Sequence, residues 1–185
     1  MKKFTCFAIC FMAAATMLSV TSCTDPEPSI TAVTTAETGA TGIANPWKEA
    51  LTLDEAAYGA NLNGFTIDEE TPVDGAAINP LMYKYTDSLA EATYSYKGMH
   101  VIIRKSMIEY SDGMDISGSY HEFECEWPMD IGGISVTCYG DVNGETVKVL
   151  WSDDECCYSI LVDNGDEITN TLTGKAVEDL VKAVE

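Results

Sequence analysis

Short runs of residues with strand character, separated by turn residues, fill most of the chain from residue 81 to residue 163. In the run 121–127 apolar and acidic residues alternate: Phe123, Cys125 and Trp127 against Glu122, Glu124 and Glu126. A period of two places these two sets on opposite faces of a half-buried antiparallel strand. The chain is therefore predicted to form a sheet with one apolar face and one acidic, solvated face.

Further runs predict strands at 81–85, 90–96, 99–105, 134–138, 146–151 and 156–162. Turn residues separate them, and the Asn143-Gly144 pair is a hairpin signal. Because the connections are short, we predict an antiparallel meander sheet of six or seven strands.

Helix signals lie at the two ends of this region. Thr52 and Glu55 form a capping box for a short N-terminal helix that Gly64 ends. A C-terminal amphipathic helix has an apolar face of Ala176, Val177, Leu180, Val181 and Val184. The predicted fold class is α+β, with the helices covering the apolar sheet face.

The N-terminus has the pattern of a bacterial lipoprotein signal peptide. Lys2 and Lys3 precede an apolar run of about 15 residues, which is short for a membrane-spanning helix of roughly 20. The sequence Val20-Thr21-Ser22-Cys23 that follows resembles a lipobox, in which the cysteine carries acyl chains such as palmitate. We expect a signal peptide at 1–22 and lipid attachment at Cys23; plain secretion and a membrane-anchoring helix are the alternatives.

The residues after Cys23 are rich in threonine, alanine, serine, glycine, proline and glutamate, and this composition is typical of disorder. We therefore predict a lipidated cysteine and disordered tether at 23–45, spanning roughly 25 Å as a flexible coil. A single α+β domain is expected at 46–185, lipid-anchored to the cell membrane and extracytoplasmic.

The charge is strongly negative, with 30 acidic and 10 basic residues and a formal net charge of −20. Loss of Lys2 and Lys3 with the signal peptide would make it −22. Such a surface repels nucleic acid and anionic headgroups, because binding phosphate needs lysine and arginine. Solubility alone accounts for this charge, but any partner recognised by charge would be cationic: a basic protein patch, a polyamine or divalent metal ions.

Four cysteines lie in the predicted domain: Cys125, Cys138, Cys156 and Cys157. Three pairings are open in an exported chain, and the sequence does not choose among them. No CxxC motif indicates a zinc or redox site. Structural thiols are favoured over disulfides.

No motif predicts catalysis, a metal site or a cofactor. The acidic stretches 112–118 and 163–167 offer oxygen ligands for a hard cation, but neither matches an EF-hand, and ordinary turns are favoured. His100 and His121 lack a metal-binding pattern, and no G-x-S-x-G elbow occurs. The tyrosines and tryptophans fit core packing better than an exposed recognition face. Arg104, the sole arginine, is predicted to form a structural ion pair with an acidic residue such as Asp115.

Several stretches of the chain form one recognisable set: 45–47, 52–56, 104–106, 132–137, 150–153 and 158–160, together with the more specific D-I-S-G-x-Y pattern at 115–120 and the downstream Trp151. Together they resemble an uncharacterised domain of unknown function found in bacterial lipoproteins and other surface-exposed proteins. Ser119 and the Cys156-Cys157 pair depart from the pattern. The resemblance implies an extracytoplasmic single domain and assigns no reaction, ligand or functional residue.

The expected function is that of a non-catalytic binding or interaction module, held at the cell envelope by its lipid. The alternative is a sensor or capture domain for a small ligand or cation. An envelope hydrolase is the least favoured reading.

Overall fold

The computed structural model describes residues 45–111, 115–165 and 168–185. The predicted signal peptide, Cys23 and the tether up to residue 44 lie outside the described residues. The α+β class is confirmed, because one antiparallel sheet packs with two α-helices. The sheet has eight strands, so the prediction of six or seven is wrong.

The strands are β1 (Lys48–Ala50), β2 (Ile78–Tyr85), β3 (Leu89–Tyr96), β4 (Met99–Met107), β5 (Cys125–Ile131), β6 (Ile134–Gly140), β7 (Lys148–Ser152) and β8 (Cys156–Asp163). The helices are α1 (Leu53–Gly59) and α2 (Gly174–Ala183). Among the described residues, no helix has both the length and the apolar character needed to cross a membrane.

The strand order β1-β2-β3-β4-β8-β7-β6-β5 differs from the predicted single meander. Each half of the sheet is a meander, and the halves join where β4 pairs with β8. The chain must therefore travel from β4 to the far edge of the sheet before β5 begins. We call residues 115–124, the described part of this passage next to β5, the crossing segment. The added strand, β1, is only three residues long, too short for a pattern of alternation to show.

The run at 121–127 is a strand only from Cys125 onward, and it extends to Ile131. The alternation is confirmed, since Cys125, Trp127 and Met129 are partly buried and the residues between them are exposed. Residues 121–124 belong to the crossing segment instead. Their neighbour β6 ends at Gly140, opposite Cys125, so the ladder has no partner strand for them.

One side of the sheet, the helix face, carries the core. It contributes small, branched and aromatic side chains that form one buried cluster with both helices. Thr52 caps α1, and the Glu55 side chain accepts a hydrogen bond from the backbone amide of Leu51 at 2.8 Å. The predicted capping box is confirmed, with the amide of Leu51 as the donor in place of that of Thr52. The helix ends at Gly59 and not at Gly64. The predicted inward face of α2 is buried except for Val184, which is partly exposed.

Candidate functional site

The crossing segment lies against the opposite side of the sheet, which we call the polar face. Arg104 on β4 donates through Nη1 to the carbonyl of Ile116 at 2.9 Å. Lys148 on β7 lies 2.7 Å from the Asp115 carboxylate. These contacts attach the segment across the centre of the sheet, and they determine where its aromatic residues emerge.

The aromatic residues of the crossing segment form one wall of a groove of about 390 Å³. Tyr120, His121 and Phe123 line it together with Asp163 and Asn164 at the end of β8. The Tyr120 side chain is 98% exposed and makes no hydrogen bond to any described residue. The groove therefore presents rings beside a carboxylate at the surface.

The β8 end of the groove is held in shape by its own side chains. Asn164 accepts hydrogen bonds from the backbone amides of Thr169 (3.3 Å) and Asn170 (2.8 Å). Asp163 accepts one from Gly165 at 3.2 Å through Oδ1. Its Oδ2 has no hydrogen-bond partner in the described parts of the chain.

His121 is the residue here with catalytic potential. Its Nε2 lies 3.2 Å from Asp141 Oδ1, and both side chains are partly exposed. Ser119 Oγ accepts a hydrogen bond from the His121 backbone amide, and no described hydroxyl or thiol bonds to the ring. Among the residues that the structure describes, no nucleophile is therefore hydrogen-bonded to this histidine–carboxylate pair.

Arg104 does not pair with Asp115, so that predicted ion pair is corrected. Its Nε and Nη2 both lie 2.7 Å from Oε2 of Glu91, whose side chain is only 1% exposed. Lys84 lies 2.8 Å from the other carboxylate oxygen. Glu91 is directly opposite Arg104 in the β3–β4 register and Lys84 in the β2–β3 register, so the ladder brings all three together.

Trp47, just before β1, covers this cluster. The centroid of its ring lies 4.6 Å from Lys84 Nζ and 5.5 Å from the Arg104 guanidinium carbon. Cation–π attraction of this kind strengthens when the cation is shielded from water. No sequence signal marked Glu91 or Trp47 as members of this cluster.

Asp115 instead forms its ion pair with Lys148, which is buried beneath the rings of Phe123 (5.3 Å) and Tyr139 (4.4 Å). Partial burial by itself raises the pKa of Asp115, but hydrogen bonds from Lys148 and Ser117 outweigh it and hold that pKa below its ordinary value. The prediction that Asp115 and Ser117 bond nearby backbone amides is confirmed, at 3.0 Å to Ser117 and 3.2 Å to Ser119.

The described cations are almost all neutralised within the fold. The pairs are Lys48–Asp87, Lys84–Glu91, Lys97–Asp74, Arg104–Glu91, Lys148–Asp115, Lys175–Asp179 and Lys182–Glu178. Lys105, the exception, is buried and donates to the Glu185 carbonyl at 3.3 Å. Exposed carboxylates such as Glu122, Glu126 and Asp154 have no such partner in the described parts of the chain. The surface is thus anionic without compensating free cations.

The predicted acidic loops are described only in part. Asp112, Gly113 and Met114 of the first, and Asp166 and Glu167 of the second, lie outside the described residues. Within the described ranges no three side chains of histidine, cysteine, aspartate or glutamate are grouped as metal ligands.

All four described cysteines are free thiols. Cys138 and Cys157 are buried, while Cys125 and Cys156 are partly exposed. Burial raises the pKa of Cys138 to about 11 and raises the pKa of Cys157 and Cys156 as well. Such thiols remain protonated and unreactive at neutral pH.

Comparison with family models, with curated proteins and with solved structures gives no match. The resemblance to a lipoprotein-associated domain of unknown function therefore stays a prediction.

Proposed function

We propose that this protein is a membrane-anchored bacterial lipoprotein whose α+β domain is a non-catalytic binding module for a cationic partner at the cell envelope. The observation that carries the proposal is that the arginine and every described lysine except Lys105 are paired with carboxylates of the same chain, which leaves the remaining surface carboxylates uncompensated. A field of one sign steers oppositely charged partners to the surface.

The groove beside Tyr120 is the proposed contact point. Aromatic rings together with a carboxylate favour an alkylammonium group, which gains cation–π attraction and a charge-assisted hydrogen bond. Tyr120 and Asp163 Oδ2 supply these two elements. The ammonium group has two sources, a free polyamine or the lysine side chains of a basic protein.

The test measures binding of spermidine and of an oligolysine peptide to the full chain in detergent by isothermal titration calorimetry. We expect Tyr120→Ser and Asp163→Asn each to weaken binding about five- to ten-fold. The matched control is Tyr110→Ser, which removes another exposed tyrosine outside the groove and should leave affinity unchanged.

Binding of spermidine alone would identify a small-ligand capture domain, and binding of the peptide alone a protein-interaction module. Equal affinity for an oligoglutamate peptide, or unchanged affinity in both groove variants, would contradict the proposal.

A further inference from the structure

The edge of the sheet at β2 is incompletely paired. Strand β1 covers only Tyr83, Lys84 and Tyr85, because the chain leaves the sheet after Ala50 to enter the Thr52 cap of α1. The preceding residues of β2, 78–82, pair with β3 on one side. On the other side no described residue hydrogen-bonds to their backbone.

This open edge lies beside an apolar cavity of about 450 Å³. It is lined by Leu51, which is 90% exposed, and by Leu81 and Met82, which are also exposed. The position is collinear with β1, where a further strand would continue the ladder. An exposed strand edge flanked by apolar side chains is a template for strand addition.

The charged side chains around this cavity indicate which kind of partner would bind there. Glu49 lines the cavity, and Glu69 accepts a hydrogen bond from Tyr83 at its border. The nearby lysines are occupied, Lys48 by Asp87 and Lys84 by Glu91. A second copy of this chain, with a formal net charge of −20, would bring like charges together. The edge is complementary to a basic segment.

We propose that the open edge of β2 binds an extended, lysine- or arginine-flanked segment of another protein by strand addition beside 78–82. The inference rests on the proposed function only for the sign of the partner's charge. It names a docking surface separate from the groove at Tyr120.

Pro80 and the bulge between Pro80 and Met82 limit the added strand. Proline offers no amide hydrogen, so the partner cannot form a continuous ladder along the whole edge. The affinity for the added strand therefore depends strongly on side-chain contact with Leu51, Leu81 and Met82. Substitutions at these residues test the proposed docking.

The probe is a fluorescein-labelled peptide of alternating valine and threonine with a lysine pair at each end, titrated by anisotropy into the full chain in detergent. The double variant Leu81→Asn, Met82→Asn should bind it about ten-fold more weakly. Ile134→Asn, which changes an exposed apolar residue on another strand, is the matched control and should bind as the parent does. A peptide with glutamate in place of lysine, and one with a central proline, should both lose affinity.

Hydrogen exchange locates the bound peptide and separates this inference from the proposed function. Protection in β2, retained when Tyr120→Ser is introduced, supports strand addition. Protection confined to 118–123 would overturn it while leaving the groove proposal intact. Concentration-dependent dimerisation abolished by the double variant would also overturn it, by making a second copy the occupant.

Discussion

Arg104 and Glu91 face each other across β3 and β4, and the guanidinium holds a single carboxylate oxygen through Nε and Nη2, both at 2.7 Å. The remaining nitrogen of the same guanidinium binds the crossing segment at Ile116. One side chain thus connects the centre of the sheet to the segment that carries the groove.

Removing the charge of Glu91 should destabilise the domain strongly. Glu91→Gln leaves Arg104 without its buried counter-ion, and the free energy of unfolding should fall by about 3 kcal/mol in urea titration. Glu126→Gln, on an exposed carboxylate of β5, is the control and should change it little. The triple variant Lys84→Met, Glu91→Leu, Arg104→Met should recover most of the loss, because no charge of this cluster is then unpaired. A loss below about 0.5 kcal/mol for Glu91→Gln would show that the pair is not shielded from water.

Gly118→Ala tests the close approach of the crossing segment to Arg104. A Cβ at this residue would overlap Nη1, and its φ of +71° is strained for alanine. We expect a loss of about 2 kcal/mol in thermal or urea unfolding. Gly144→Ala, with φ +90° and open space around the added Cβ, isolates the backbone strain and should cost less. Equal costs would mean that Arg104 moves aside freely.

The ion pair of Asp115 with Lys148 should make the free energy of unfolding depend on pH in the acidic range. Because its pKa is lower in the folded protein than in the unfolded chain, its contribution is present above the unfolded pKa of about 4 and is lost as pH falls through the folded pKa. The stability difference between the parent and Asp115→Asn, measured by urea titration, should therefore be largest near pH 6 and vanish at strongly acidic pH. Asp154→Asn, at an exposed carboxylate, is the control. A difference that grew on acidification would contradict the assignment.

Cys138 should resist alkylation in the native protein. With a pKa of about 11, roughly one molecule in a thousand carries the thiolate at pH 8, and burial also blocks the reagent. Mass spectrometry after iodoacetamide treatment should find Cys138 unmodified until urea unfolds the chain. Cys125, partly exposed, serves as the internal reference. Rapid native labelling of Cys138 would show that β6 opens locally.

Cys23→Ala tests the lipid anchor. The variant should lose incorporation of labelled palmitate and leave the membrane fraction, because acyl chains supply the anchoring free energy. Ser22→Ala retains a small residue before the cysteine and should remain labelled. Unchanged labelling of Cys23→Ala would refute the lipoprotein proposal.

Much of the local structure was predictable from neighbouring residues. The alternation at 125–131, the capping box at Thr52 and most of the buried face of α2 each depend on residues two to four apart. The strand count was wrong because β1 is too short to show a period. The meander was wrong because alternation reveals that a segment is a strand but not which strand lies beside it.

The candidate site was less predictable. The sequence predicts an ion pair of Arg104 with Asp115, and the crossing segment does pass Arg104, but the carboxylate that binds the guanidinium is that of Glu91 on β3. The sequence distinguishes Tyr120 only as the last residue of the D-I-S-G-x-Y pattern and as one of many aromatic residues. Tyr120 lies in an irregular segment after the left-handed Gly118, outside the strands, whose tyrosines are buried or partly buried.

By itself, the sequence determined the acidic surface, the strand and helix segments, and the α+β class, because charge and periodicity are properties of the chain read locally. Only the tertiary structure decided which acid neutralises Arg104, where the rings of the crossing segment reach the surface and which part of β2 has no partner strand among the described residues. These depend on the pairing of β4 with β8 and on strand register, which join residues far apart in the chain and leave no local pattern.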